Sequence, residues 1–244
     1  MTLPDLATLY RVTDISWPAA AQHRAGPWTI RDGRGGGQRV SAATADGDWQ
    51  PADIALAEGA MRALGQTPLF MVRAGEDRLD AALAAQGYRI KDPVVLYAAP
   101  AAQIATRRPP PVTAFTVWPP LATQAEIWAQ GGIGPGRLAV MERAPDPKTT
   151  LLGRADDRPA GTVYVGSGLG CAMIHALEVA AAHRRKGLAR HLTVAAAFWA
   201  LDQGLDWLTL VTTRANAASN ALYTSLGMTP VGEYHYRISP EGQP

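Results

Sequence analysis

The sequence predicts an α/β fold, with strands and helices alternating around a mixed sheet. Three observations carry this. Short apolar runs such as Leu69–Val72, Ala172–Val179 and Trp207–Thr213 alternate with helix-length stretches whose apolar residues share a face. Leu177 to Leu192, LEVAAAHRRKGLARHL, reads as a strand end, a turn rich in small and basic residues, and a helix start. The run Arg107-Arg108-Pro109-Pro110-Pro111 continues neither sheet nor helix, so it marks a boundary between an N-terminal α/β domain (1–106) and a C-terminal one (112–244), with 107–111 as linker.

In chain order, Leu3 to Val12 is a short helix with Thr2 as its cap. Trp28–Arg31 and Arg39–Ala42 are strands joined by a hairpin turn at Gly33–Gly37, because no helix and no Lys-Ser/Thr follow those glycines as a phosphate loop requires. Pro51 to Leu64 is a helix with Ile54, Ala57, Met61 and Leu64 on one face. Leu69–Val72 is a strand, Asp77–Gln86 a helix stopped by Gly87, and Val94–Ala98 a strand.

Beyond the prolines, Thr113–Val117 is a strand, Leu121–Gln130 a helix, and Arg137–Arg143 a shorter helix. Thr149–Arg154 and Gly161–Val165 are strands joined by a polar turn, and Ala172–Val179 is a longer strand. Leu188–Gln203 is an apolar helix ended by Gly204, Trp207–Thr213 a strand, Asn216–Leu226 a helix with Gly227 behind it, and Val231–Ile238 the closing strand. Leu69–Tyr88 and Thr209–Met228 align without a gap as strand, loop, helix and glycine, an internal repeat or two generic units of the same kind.

Composition narrows the function. With 47% hydrophobic and 18% charged residues in 244, the chain is far from disorder and long enough for a large core. A formal net charge of +2 speaks against a broad nucleic-acid surface, so positive charge must act locally. Cys171 stands alone, which excludes an internal disulfide and a thiol-rich metal site, and it reads as a small buried hydrophobe. No signal peptide opens the chain and no stretch reaches the ~20 apolar residues of a membrane span, so a cytoplasmic protein without membrane contact is expected.

The chemistry concentrates in Arg184-Arg185-Lys186-Gly187-Leu188-Ala189, an Arg-x-x-Gly-x-Ala pattern. Small residues at Gly187 and Ala189 let backbone N–H groups approach a ligand at a helix start, where the dipole is positive. Basic side chains beside those amides favour a multiply charged anion such as a pyrophosphate. Downstream comes Asn216-x-x-Ser219-x-x-Leu222-Tyr223-x-x-Leu226-Gly227-Met228. With both motifs at this spacing, Thr113 to Ile238 resembles the GCN5-related N-acetyltransferase (GNAT) superfamily.

The resemblance implies a mostly antiparallel sheet flanked by helices, splayed between Ala172–Val179 and Trp207–Thr213, with acetyl-CoA as cofactor and CoA as product. It implies cofactor contacts from Leu177 and Val179 at the strand end. The pyrophosphate falls to Arg184 and to Arg185, Lys186, Gly187, Leu188, Ala189 and Arg190, and the pantetheine region to Asn216 and Ser219. Tyr223 would give a proton to the departing thiolate, and direct transfer to a primary amine of a small molecule or protein would follow. The alternative is a non-catalytic acyl-CoA sensor or partner-binding module on the same fold. For an acceptor-side base the residues offer His175, which in regular strand alternation faces opposite to Glu178; a structural histidine is the competing reading. Tyr234-His235-Tyr236 either lines an acceptor pocket or covers a sheet face.

The N-terminal half has no Arg-x-x-Gly-x-Gly/Ala before its strand–helix unit. If it is a degenerate copy, Glu76 stands where Asn216 does and Leu83 where Tyr223 does, leaving neither cofactor grip nor acid. A monomer and a homodimer are both open.

Overall fold

Asp5, not Thr2, starts the first helix. In the computed structural model, which describes residues 2–241, Asp5 Oδ1 accepts the Thr8 N–H at 2.7 Å and α1 runs Leu6–Ser16. The helix outlasts the expected Val12 because Leu9, Val12, Thr13 and Ser16 keep one face buried. β1 (Ala21–Ala25) and β2 (Trp28–Asp32) then form an antiparallel pair across Gly26, whose φ of +59° suits so tight a turn. The strand expected at Arg39–Ala42 is absent. Gln38–Val40 is a 3₁₀ turn instead, and β2 pairs with β3 (Thr44–Ala45). The reason lies at Gly33, whose N–H donates to Gln66 Oε1 at 2.7 Å. A Cβ there would lie 2.0 Å from Ser41 Oγ, so the glycine loop folds back on Ser41 rather than opening into a hairpin.

The remaining elements follow the expected alternation. They are α2 (Ile54–Ala63), β4 (Leu69–Arg73), α3 (Asp77–Ala85), β5 (Arg89–Pro100) and the short α4 (Ala101–Ile104). Then come β6 (Ala114–Val117), α5 (Ala122–Gln130), α6 (Pro135–Arg143), β7 (Thr149–Ala155), β8 (Arg158–Gly168) and β9 (Cys171–Val179). The chain closes with α7 (Leu188–Asp202), β10 (Trp207–Thr213), α8 (Ala217–Ser225) and β11 (Thr229–Ile238). No helix among the described residues is long and apolar enough to cross a membrane.

These elements form two compact units. The first holds the chain up to Pro18, Leu96–Thr212 and Asn216–Val231; the second holds Ala19–Val95, Thr213–Ala215 and the chain from Gly232 on. The division therefore falls within β5 and β11 and at the last residue of β10, and the proline run at 107–111 lies inside the first unit. Packing explains this, since α4, just before the prolines, lies on α7, and β6, just after them, pairs with β7.

In the first unit the strand order is β5-β10-β9-β8-β7-β6. The pairs from β9 to β6 are antiparallel, and β9 with β10 is parallel. α1 and α5 pack on β8 and β9, and α7 packs on β7, β8 and β9. Gly153 and Gly161 sit under α7, where a Cβ would come within 3.1–3.3 Å of the Leu188 and Leu192 side chains, so the missing side chains admit the helix. Cys171 is buried with Val12, Ala98, Met173 and Trp207, and burial pushes its thiol up to about 11, as suits a packing residue.

The second unit has a core of Trp28, Ile54, Phe70, Leu79, Leu83 and Tyr88, and in it β4 pairs antiparallel with β11. Tyr234 and Tyr236 are buried, and His235 meets Asp80 of α3 at 2.6 Å, so this stretch covers a sheet face. The two repeat segments fold alike. Each is strand, turn, nine-residue helix and a glycine at φ +82°. Tyr88 N–H donates to Leu83 O, and Met228 N–H to Tyr223 O, both at 3.0 Å.

Candidate functional site

β9 and β10 pair only from Trp207↔Cys171 to Leu210↔Ile174; beyond Ile174 the strands part. Just past that point β9 bulges. Tyr164 of β8 faces His175 and Thr162 faces Glu178, so one extra residue is inserted, and Ala176 takes φ +50°. The Ala176 carbonyl accepts the Trp128 indole N–H at 2.7 Å. This corrects the expected alternation. The bulge shifts the parity, and His175 and Glu178 share a face rather than opposing each other.

After β9 the chain makes a 3₁₀ turn at Ala181–His183 and reaches the basic residues. Arg184 Nε donates to the Val179 carbonyl at 2.9 Å and its Nη2 to Glu178 Oε1 at 3.0 Å, so this guanidinium staples the turn to the strand. Arg185 has φ +65° and Gly187 φ +84°, a tight left-handed corner before α7. No side chain caps α7, and its first turn closes with His191 N–H donating to Gly187 O at 3.1 Å. The amides of Leu188, Ala189 and Arg190 are thus presented at a helix N-terminus beside basic side chains.

α8 supplies the opposite wall. Asn216 caps it, its Oδ1 accepting the Ser219 N–H at 3.1 Å. About two turns beyond the cap, Tyr223 is 5% exposed, with its ring 5.9 Å from that of Tyr97. Burial pushes the Tyr223 phenol far above the ordinary 10, so it stays protonated throughout the working range.

Between these walls lies a cleft of about 510 Å³. It gathers most of the expected residues: Leu177 and Val179 from β9, then Arg184, Arg185, Gly187, Leu188, Ala189 and Arg190, then Asn216, Ser219 and Tyr223. Two are placed elsewhere. Lys186 turns away to Asp156 at 2.7 Å, and its ammonium, with His183 adding to it, holds that carboxyl below its usual range. His175 is 5% exposed, with Nε2 2.8 Å from Ser16 Oγ and its ring stacked on Trp17 at 4.9 Å. Ser16 Oγ already donates to Val12 O at 2.7 Å, so His175 Nε2 is the donor and the imidazole fastens α1 to β9 outside the cleft. Sequence reasoning missed Glu178, His183, Ala218 and Leu222 as cleft residues. Leu222 sits inside the quoted motif, whereas Glu178 needed the bulge to be seen.

The residues present fit an acyl-CoA. Uncapped helix amides and two cations suit a pyrophosphate, and the parted strands leave backbone groups for an extended arm.

Residues 113–228 match the acetyltransferase (GNAT) family. The chain is 28% identical over 249 residues to the uncharacterized N-acetyltransferase YobR of Bacillus subtilis (strain 168), covering 97% of this chain and 99% of that protein. Its fold is similar to that of a GCN5-related N-acetyltransferase from Kribbella flavida, with TM-score 0.73, 18% identity and 98% of each chain covered. It is also similar to a tandem GNAT protein from the clavulanic acid biosynthesis pathway, with TM-score 0.62, 17% identity, and 83% of this chain and 76% of that one covered. Its cleft and two motifs thus lie in a segment, residues 113–228, that matches the acetyltransferase (GNAT) family, and the chain has the fold of the GCN5-related N-acetyltransferases.

Proposed function

We propose that this chain is an acetyl-CoA-dependent N-acetyltransferase that transfers the acetyl group directly to a primary amine. The observation that carries the reading is that the uncapped N-terminus of α7 and the buried phenol of Tyr223 line one cleft at the opening of β9 and β10. When bound, acetyl-CoA would supply the acetyl group as a reactive thioester. The amides of Leu188, Ala189 and Arg190, with Arg185 and Arg190, hold the pyrophosphate, and Asn216 and the parted edge of β9 hold the pantetheine arm. Arg184 acts indirectly here, by fixing the turn to Val179 and Glu178.

Tyr223 is the acid. As the amine nitrogen bonded to the acetyl carbon and the carbon–sulfur bond broke, the phenol would give its proton to sulfur, the amine nitrogen would lose one to water, and Tyr223 would be reprotonated from solvent. His175, buried against Ser16 and Trp17 and not lining the cleft, is given no role in acceptor deprotonation in this reading.

Calorimetry with acetyl-CoA, followed by amine-dependent CoA release, tests the reading. One site per chain and turnover that collapses in Tyr223→Phe while affinity is kept would support it. Binding without turnover on any amine, or indifference of all functions to Tyr223→Phe, would shift the assignment to an acyl-CoA sensor. A ligand at 100 times its Kd adds about 2.7 kcal/mol of apparent stability, so thermal unfolding gives an independent check.

A further inference from the structure

The cleft is lined by four residues that carry or can take a positive charge, His183, Arg184, Arg185 and Arg190, and, among the described residues, by one acid, Glu178. A carboxylate repels a polyanionic cofactor, so Glu178 serves something other than the pyrophosphate. Arg184 accounts for one of its oxygens, with Nη2 donating to Oε1 at 3.0 Å. No described residue donates to Oε2, although the side chain is only 19% exposed. An ionised carboxylate accepts on both oxygens, so Oε2 is a charged acceptor left open at a partly buried place.

The β9 bulge decides where this oxygen lies. Glu178 pairs with Thr162 of β8, whose Oγ1 accepts from Gln124 of α5 at 3.0 Å, so both side chains face α5. The neighbouring pair, Val179 and Gly161, faces α7, since a Cβ at Gly161 would lie 3.1 and 3.3 Å from the Leu188 and Leu192 side chains. Oε2 is therefore on the side of the sheet away from the α7 N-terminus assigned to the pyrophosphate. Glycines border it there. A Cβ at Gly131 would fall 2.6 Å from Oε2, and a Cβ at Gly132 would meet nothing within 4 Å, so missing side chains keep space beside the carboxylate.

A cation satisfies this place and a second anion does not. We propose that Glu178 Oε2 receives the ammonium group of the acceptor, which makes the acceptors amines that are protonated at neutral pH, alkylamines rather than arylamines. A charge-assisted bond to a carboxylate is about twice as strong as a neutral one, so the cationic form is selected over an alcohol or a neutral arylamine. Glu178 gathers and orients the ammonium form that predominates at pH 7, and the attacking amine arises from it by loss of a proton to water. The inference rests on the transferase reading of the cleft.

Calorimetry on the full chain saturated with CoA compares butylamine, benzylamine and 1,4-diaminobutane with the alcohols of the same skeletons at pH 7. At least one amine should bind about tenfold more tightly than its alcohol, with a margin that shrinks as salt is added. Glu178→Gln keeps an oxygen for Arg184 and loses the charge. It should erase the margin, leave CoA affinity within about twofold, and raise KM for the preferred amine about tenfold with less effect on kcat. Glu178→Asp keeps the charge and should retain part of the margin. Alcohols that bind the wild type as well as the amines do, or a margin that survives Glu178→Gln, overturn the ammonium receptor and leave the acyl-CoA reading intact. A fall in CoA affinity equal to the loss of amine binding would also overturn it, by assigning the carboxylate to the turn alone. Failure of the wild type to bind CoA at millimolar concentration overturns the inference and the acyl-CoA reading together.

Discussion

The Trp128 indole N–H and the Ala176 carbonyl meet at 2.7 Å, and this bond ties α5 to the bulge of β9 where that strand leaves β10. Ala176 adopts φ +50°, a conformation that disfavours a residue with a Cβ, so something outside the strand has to hold it there. Trp128 is fully buried and supplies that hold. The bulge in turn sets which way Leu177, Glu178 and Val179 face.

Trp128→Phe keeps an aromatic ring and removes only the N–H. The Ala176 carbonyl then loses its donor, at a cost of about 1–3 kcal/mol in urea unfolding. On the proposed function, acetyl transfer should fall further than acetyl-CoA affinity, because the bulge orients the strand end proposed to lie beside the reacting carbon. Equal, small losses in both would mean that the bond is structural only.

Glu178 is held from two sides. Its carboxylate receives Arg184, and a Cβ at Gly131, just after α5, would come within 2.6 Å of Oε2. Gly131→Ala should push the carboxylate aside and weaken the staple between Arg184 and β9. The expected readout is weaker acetyl-CoA binding with little change in thermal midpoint, since only the far end of a side chain has to move. A normal affinity in this variant would show that the turn holds without Glu178.

Tyr223 also predicts a pH dependence of stability. Its pKa is raised by burial, so the folded state keeps the proton above pH ~10 while the unfolded chain releases it. Stability from this group is complete below the ordinary value and declines as pH rises past it, by about 1.4 kcal/mol per pH unit. Tyr223→Phe lacks this term, so its urea-unfolding curve should be flatter than wild type between pH 10 and 11 by about that amount. Parallel curves would mean that the phenol is solvated.

Most of the architecture was legible because periodicity and punctuation agreed. Gly87, Gly204 and Gly227 all end helices at positive φ as expected, and the repeat aligned in sequence folds alike residue for residue. The cleft was legible for a similar reason: the Gly187 corner and the Asn216 cap are local devices written in single residues. What escaped was everything decided by distant partners. The β9 bulge depends on Trp128, far away in the chain, so strict alternation gave His175 and Glu178 the wrong relative faces. Lys186 looked like its neighbours until Asp156 across a hairpin claimed it. The proline run looked like a boundary because stiffness is visible in sequence and the packing of α4 on α7 is not.

Gly187 separates backbone strain from charge at the turn proposed to hold the pyrophosphate. Its φ is +84° and a Cβ there would meet nothing within 4 Å, so substitution acts through conformation and through whatever the side chain carries. Gly187→Asn tolerates the left-handed region and should lose less than about 1 kcal/mol of stability with acetyl-CoA affinity near wild type. Gly187→Glu adds strain and places a carboxylate beside the pyrophosphate amides, and should lower affinity by about tenfold or more. Similar affinity for the two variants would move the pyrophosphate away from this corner.

In the second unit, Asp80 accepts from Arg237 Nε at 2.7 Å and Nη2 at 2.8 Å, and meets His235 at 2.6 Å. The Arg237 hydrogen bonds, with His235 adding to them, hold its carboxyl at about 2, below the usual 3.8. A depressed folded-state pKa contributes stability that is present above the unfolded value and lost as pH falls from 3.8 towards 2. The carboxylate is partly open to solvent, so the contribution is about 1 kcal/mol rather than the full shift. Asp80→Asn should therefore be less stable than wild type at pH 7 and converge with it at pH ~2, as followed by urea unfolding across that range. Because Asp80, His235 and Arg237 belong to the unit without the proposed cofactor turn, the same substitution should leave acetyl-CoA affinity unchanged. A change in affinity would mean that the second unit contributes to the site through more than its own fold.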